Sequence, residues 1–266
     1  MLIIRNDAGY LRLSELLTAA YVGKDRNVHH AELNPEWLEN GDNSGLICLS
    51  GAHYGEVGVN LLNGNEDAAR AAALKYAAWF PDAFYLELQR LPERPEWEAC
   101  VSGSVKLAEE LGLPVVATHP TQFMSSDDFN AHEARVCIAG GWVLTDKKRP
   151  RDFTPSQFFI PPETMAERFA DLPEALENTV EIAKRCNLHI TLGKNFLPLF
   201  PTPDGLSLDD YLVKLSNEGL QERMVQLYPD EAERAAKMPE YQERLDFELN
   251  IIIQMKFPGY FLIVQD

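Results

Sequence analysis

The chain has 266 residues, 45% of them hydrophobic, and its 41 acids against 24 Lys and Arg give a formal net charge of −17. That length holds one large domain or two small ones, and no stretch approaches the run of roughly 18 apolar residues that a membrane span needs. So acidic a surface repels phosphate backbones, which argues against this segment gripping nucleic acid alone. Met1 to Asn6 (MLIIRN) lacks the basic head, long apolar stretch and cleavage site of a secretory signal, so the expected location is the cytoplasm. Cys48, Cys100, Cys137 and Cys186 lie far apart and read as scattered buried thiols in a reducing compartment.

Met1 to Ile4 has the apolar character of a strand, and Gly45 to Ser50 (GLICLS) reads as a short buried strand. The Ala-rich stretch Glu66 to Phe80, stopped by Pro81, reads as a helix. Phe84 to Leu88 (FYLEL) is a further strand, Pro95 to Leu111 a helix with Gly112 just past its end, and Leu113 to Thr118 (LPVVAT) another strand. This alternation predicts an α/β fold with a parallel sheet covered by helices, because parallel neighbours need long crossovers. Function in such folds gathers at the carboxyl ends of strands. Here those ends carry Ser50 to His53, Glu87 to Arg90, and Thr118 with His119.

From Asp127 onward the pattern turns mainly helical. Asp171-Leu-Pro-Glu174 reads as an Asp-capped helix start, with Leu176, Thr179, Val180 and Ala183 as the buried stripe down to Cys186. Phe196 to Pro203 (FLPLFPTP) is a Pro-rich connector and the best boundary. Asp209 to Leu227 and Tyr241 to Met255 read as two more helices. The final apolar run Phe257 to Val264 looks uncovered, as does the opening strand, and this predicts a segment that aggregates or dimerises when isolated.

Familiar catalytic motifs are missing: no GxxxxGK[ST], no GxGxxG opening a helix, no GxSxG, and Val136 stands where an HExxH begun at His132-Glu133 needs its second histidine. His53, Glu87 and His119 are the candidate metal ligands, since His and Glu both suit zinc or manganese and all three residues fall at or near expected strand ends. The competing reading has both histidines hydrogen-bonded in loops and Glu87 on a solvated face between Leu86 and Leu88. The acid pairs Asp127-Asp128 and Asp209-Asp210 read as helix caps, and Lys147 to Arg151 (KKRPR) as a solvated basic loop.

Several stretches in order resemble one family. Leu49-Ser-Gly51 with Gly55-Glu-Val-Gly58, Phe80 to Arg90 (FPDAFYLELQR), Leu113 to Thr118, Asp127 to Ile138 with Arg149 to Arg151, Phe169 to Asn187, Phe196 to Pro201 and Phe257 to Val264 (FPGYFLIV) are similar to the alpha subunit of bacterial DNA polymerase III. The resemblance implies a PHP (polymerase and histidinol phosphatase) domain over residues 1–195, lacking its first part and built as a partial distorted β/α barrel. Residues 196–266 would then be a connector and the entry to the polymerase palm. It also implies a parent that is a DNA-directed DNA polymerase, a nucleotidyltransferase using Mg²⁺ held by palm aspartates beyond Asp266. On this reading the segment holds no catalytic or cofactor-binding residue and is inactive alone. The implied partners are the proofreading exonuclease subunit and other holoenzyme subunits, with DNA met through the rest of the subunit.

The chain departs from the family's metal-binding pattern. Ala52 stands where metal-binding members have cysteine, and Pro120 and Gln122 where they have Asp and His. His53 and His119 fall one place from the family's ligand positions. The expectation is a PHP scaffold without bound metal, with a docking module for the exonuclease subunit and a metal-dependent PHP-type phosphoesterase as the alternatives.

Overall fold

The computed structural model describes residues 1–24, 26–194 and 196–266. It divides into two compact units, Met1–Ile190 and Thr191–Asp266. Position 195, where the first domain was expected to end, lies outside the described residues.

The first unit is built on a four-stranded sheet in the order β1 (Leu2–Ile4), β2 (Leu46–Leu49), β3 (Phe84–Gln89) and β4 (Val115–Thr118). β1 runs antiparallel to β2, whereas β2, β3 and β4 are mutually parallel. All of β2 and residues 84–88 of β3 are buried. A strand covered on both faces shows a continuous apolar run rather than alternation, which is why FYLEL reads as it does.

The crossovers are helical: α1 (Asp7–Val22) and α2 (Pro35–Glu39) precede β2, while α3 (Glu56–Leu62) and α4 (Glu66–Trp79) link β2 to β3. α5 (Trp97–Leu111) links β3 to β4 and ends, as expected, at a left-handed Gly112. Beyond β4 come α6 (Phe129–Gly140), α7 (Pro162–Arg168) and α8 (Pro173–Arg185), the last packed on β4. An α/β architecture is therefore present, with one core formed by the sheet and its covering helices.

The helices that precede and follow β2, α1, α2 and α3, were not read from the sequence. α1 packs so closely on the turn before β2 that a Cβ on Gly9 would run into the carbonyl of Gly45, and one on Gly45 into the backbone of Gly9. Two glycines thus set the approach of α1, and the Asn6 side chain caps it by accepting the Gly9 N–H at 3.1 Å. Its apolar residues are spread round the helix, with Tyr10, Leu11, Leu17 and Tyr21 exposed, so no stripe marks it. The short α2 and α3 carry too few turns to show periodicity. Asn43 joins α2 to the end of α4, donating from its buried Nδ2 to the carbonyls of Leu38 and Trp79.

Other readings need correction. Asp171 does not cap α8; Leu172 occupies the cap position with no side-chain bond, and the Asp171 carboxylate goes to Arg90 instead. The buried residues of α8 are Ala175 and Ile182, flanked by half-buried Leu176 and Thr179, whereas Val180 and Ala183 face solvent. The stripe is rotated by about one residue, because Asn178 must face β4 to donate to the Val115 carbonyl at 2.8 Å. The basic loop is not uniformly solvated: Arg149 is buried while its neighbours are exposed. Cys48, Cys100 and Cys137 are buried and Cys186 partly so, all free.

In the second unit, α9 (Leu208–Leu227) is capped by Ser207, whose hydroxyl accepts the Asp210 N–H, so the Asp pair supports rather than supplies the cap. α10 spans Glu231–Gln254, ten residues earlier than the sequence suggested, because Asp230 caps it and the helix runs through Pro239. The apolar tail forms α11 (Pro258–Gln265), which turns 113° from α10. Leu212, Leu249 and Leu262 form the small core of this unit. Among the described residues no single helix is long and apolar enough to cross a membrane.

Candidate functional site

The parallel register brings the carboxyl ends of β2, β3 and β4 side by side, and the chain leaves each strand through a polar residue. After β2, Ser50 accepts the backbone N–H of Glu87 on its Oγ at 2.9 Å. Gly51 and Ala52 then take positive φ angles of 85° and 46°, a tight turn into the 3₁₀ segment Ala52–Tyr54. Gly51 meets that geometry without strain, whereas Ala52 is held in it by the surrounding bonds.

Glu87 occupies the centre of this end. Its side chain is buried, not solvated, and the sequence reading of an outward face is corrected here. Oε2 accepts the Gly51 N–H at 3.1 Å; Oε1 accepts the Thr118 hydroxyl at 2.6 Å and the Gln89 amide at 3.2 Å. Gln89 also donates to Thr118 Oγ1 at 2.9 Å, so three strand ends are sewn together through one carboxylate. A buried carboxylate is tolerable only when its lone pairs are satisfied, and these donors satisfy them.

His119 follows Thr118 directly. Its Nε2 donates to the Phe158 carbonyl at 2.9 Å, which leaves Nδ1 as the acceptor for Arg168 Nη1 at 3.3 Å. Burial first, then the Arg168 guanidinium, push its pKa below the ordinary histidine range. His53 is likewise buried but differently held, with its ring stacked on Trp97 at 3.5 Å between centroids and 22° between planes. Neither ring nitrogen has a partner, and burial, reinforced by Arg94, lowers its pKa to about 4. The expected candidates thus sit at the predicted strand ends, yet they do not converge: among the described residues no group of three His, Cys, Asp or Glu side chains could hold a metal ion.

The residues present do not fit the metal cluster implied for PHP domains. Ala52 offers no ligand atom, Pro120 presents a backbone carbonyl already taken by Gln157, and both His119 nitrogens and the Glu87 oxygens are engaged. What lies beside this end is a cleft of about 380 Å³ whose walls include Arg90, Arg94, Trp97 and Arg168.

Arg90 was not singled out in the sequence. It extends from the end of β3 to Asp171 at 2.6 and 2.9 Å and to Glu98 at 2.8 and 2.9 Å, and its guanidinium lies over the Phe169 ring. The buried Glu133–Arg149 pair was also missed, although His132-Glu133 and the basic cluster had each been noticed separately. A separation of sixteen positions in the chain hides the pairing from any local pattern.

This fold has a counterpart among known families. Residues 1–91, within the α/β first unit, match the PHP domain model. Residues 210–266 match the model described as bacterial DNA polymerase III alpha NTPase domain. Over its whole length the chain is 99% identical to the DNA polymerase III subunit alpha of Neisseria meningitidis serogroup A. Over 98% of its length it is 49% identical to that of Escherichia coli strain K12, and over all of it 47% identical to that of Pseudomonas aeruginosa. The chain belongs to the bacterial DNA polymerase III alpha subunit family, as its motifs implied. It spans 22 to 23% of the length of these relatives.

Proposed function

We propose that the chain serves as the PHP-bearing segment of a replicative DNA polymerase subunit, contributing a scaffold rather than chemistry. The observation that carries this reading is its identity of 99% over all 266 residues to a subunit named for DNA polymerase III. In this proposal residues 1–195 form the PHP domain, completed into a distorted β/α barrel by further strands, and residues 196–266 lead into the palm. Template-directed synthesis, with Mg²⁺ at palm aspartates, belongs to the rest of the subunit. The proofreading exonuclease subunit and the other holoenzyme subunits are the proposed partners, and the cytoplasm is the proposed location. Scaffolding is favoured over a PHP phosphoesterase because the Glu87 carboxylate ties strand ends together instead of facing open space.

Primer extension tests the proposal. The full-length subunit carrying this segment should extend a primed template with Mg²⁺, and residues 1–266 alone should not. Extension by the isolated segment, or none by the full subunit, would overturn it. Metal analysis of the dialysed full-length subunit separates the scaffold from the phosphoesterase: zinc or manganese at this end, lost in Glu87→Gln, would favour the enzyme.

A further inference from the structure

The segment joining α6 to the Phe158 strand bridge exposes large apolar side chains beside a cluster of cations. Ile138, Trp142, Val143 and Leu144 are 83%, 39%, 64% and 48% exposed, and Lys147, Lys148 and Arg151 beside them face solvent. Large apolar side chains scattered singly need no explanation, but three in succession at a loop tip are a patch.

The loop is held in shape. Gly141 closes α6 in the left-handed region at φ 70°, and the Trp142 N–H returns to the Cys137 carbonyl at 2.8 Å. Gly140 leaves room for the indole, since a Cβ there would come within 2.7 Å of Trp142 Cδ1. The Asp146 N–H bonds the Val143 carbonyl at 3.0 Å, and Asp146 Oδ1 accepts the Lys148 N–H at 2.8 Å. Arg149 then anchors the base: Nε donates to the Leu144 carbonyl at 3.3 Å and Nη1 to buried Glu133 at 2.5 Å. A buried ion pair is a costly way to fix an ordinary surface loop, and a loop so fixed loses little conformational entropy on binding.

We propose that Gly140–Arg151 is a preformed docking loop for an acidic segment of a partner protein that carries at least one aliphatic or aromatic side chain. Charge complementarity selects the occupant. The loop holds a local cluster of cations on a chain of net charge −17, so an acidic partner is drawn here and repelled elsewhere. Nucleic acid shares the charge but not the apolar match: one indole could stack on a base, whereas Val143, Leu144 and Ile138 have no counterpart in a phosphate strand. This inference stands whether or not the polymerase reading holds, because it uses only the loop.

The test places the photo-crosslinker p-benzoylphenylalanine at Val143 in the full-length subunit in cells, with Val22, also exposed, as the control position. The expected result is a crosslink from position 143 to a peptide of net negative charge containing an apolar residue, mapped by mass spectrometry. Its yield should fall about tenfold with Trp142→Ala, and again with Lys147→Glu and Lys148→Glu together, as for anchor residues of an interface. The lysine pair is exposed, so its reversal leaves the melting temperature unchanged and keeps the test valid if Trp142→Ala folds poorly. Crosslinks to nucleic acid, to a second copy of the chain or to a neutral or basic peptide would overturn the proposal. So would a yield no greater than at Val22, or one indifferent to charge reversal.

Discussion

Arg90 holds Asp171 through both Nη atoms, at 2.6 and 2.9 Å, across 81 residues of chain. The same guanidinium grips Glu98 and donates to the Arg168 carbonyl, so the end of β3 is tied both to the start of α5 and to the turn before α8. Arg90→Ala should lower the stability of the full-length subunit's PHP region by about 1–3 kcal/mol, the carboxylates being largely exposed and the attraction screened. Denaturant unfolding checks it.

The same pair predicts an acid dependence. Arg90 holds the Asp171 carboxyl below its ordinary value of 3.8. The stabilisation is therefore present above pH 3.8 and is lost as pH falls through the lower folded value. Asp171→Asn should remove this component of the acid transition, visible as a shallower loss of helical signal below that pH.

Arg149 and Glu133 are both buried. Removing one partner leaves an uncompensated charge, so Glu133→Gln or Arg149→Met alone should cost about 3–5 kcal/mol, and the double variant less than the sum. A double-mutant cycle on thermal unfolding measures the difference; strict additivity would show that the pair does not couple.

His53 titrates in the opposite sense to a paired histidine. Its folded pKa, near 4, lies below the ordinary 6.5, so the folded state binds fewer protons than the unfolded chain between those values. Its contribution is complete above pH 6.5 and is lost as pH falls from 6.5 toward 4. His53→Phe keeps a ring to stack on Trp97 and should flatten stability across that window. A variant as acid-sensitive as the parent would place the titration elsewhere.

Gly9 and Gly45 meet backbone to backbone. Gly9→Ala, although it raises helix propensity, should destabilise by about 1–3 kcal/mol because the clash is with main chain and cannot be relieved by rotating a side chain. Melting temperature reports it directly; an increase would mean that α1 shifts freely over the sheet.

The sequence by itself determined the succession of strands and helices that makes the sheet parallel, and the family. Those follow from local signals: buried runs such as GLICLS and FYLEL, the Gly112 stop, and motifs such as FPGYFLIV. It could not show that Glu87 is buried, because a carboxylate between leucines reads as a solvent face until donors from β2 and β4 are brought to it. Nor could it show that Asp171 serves Arg90 rather than α8, or that one arginine of a basic run turns inward to Glu133. Each outcome depends on partners 16 to 81 residues away, at separations fixed by packing and not by periodicity. Helix and strand periods act over a few residues; the satisfaction of a buried charge is settled only when distant elements close around it.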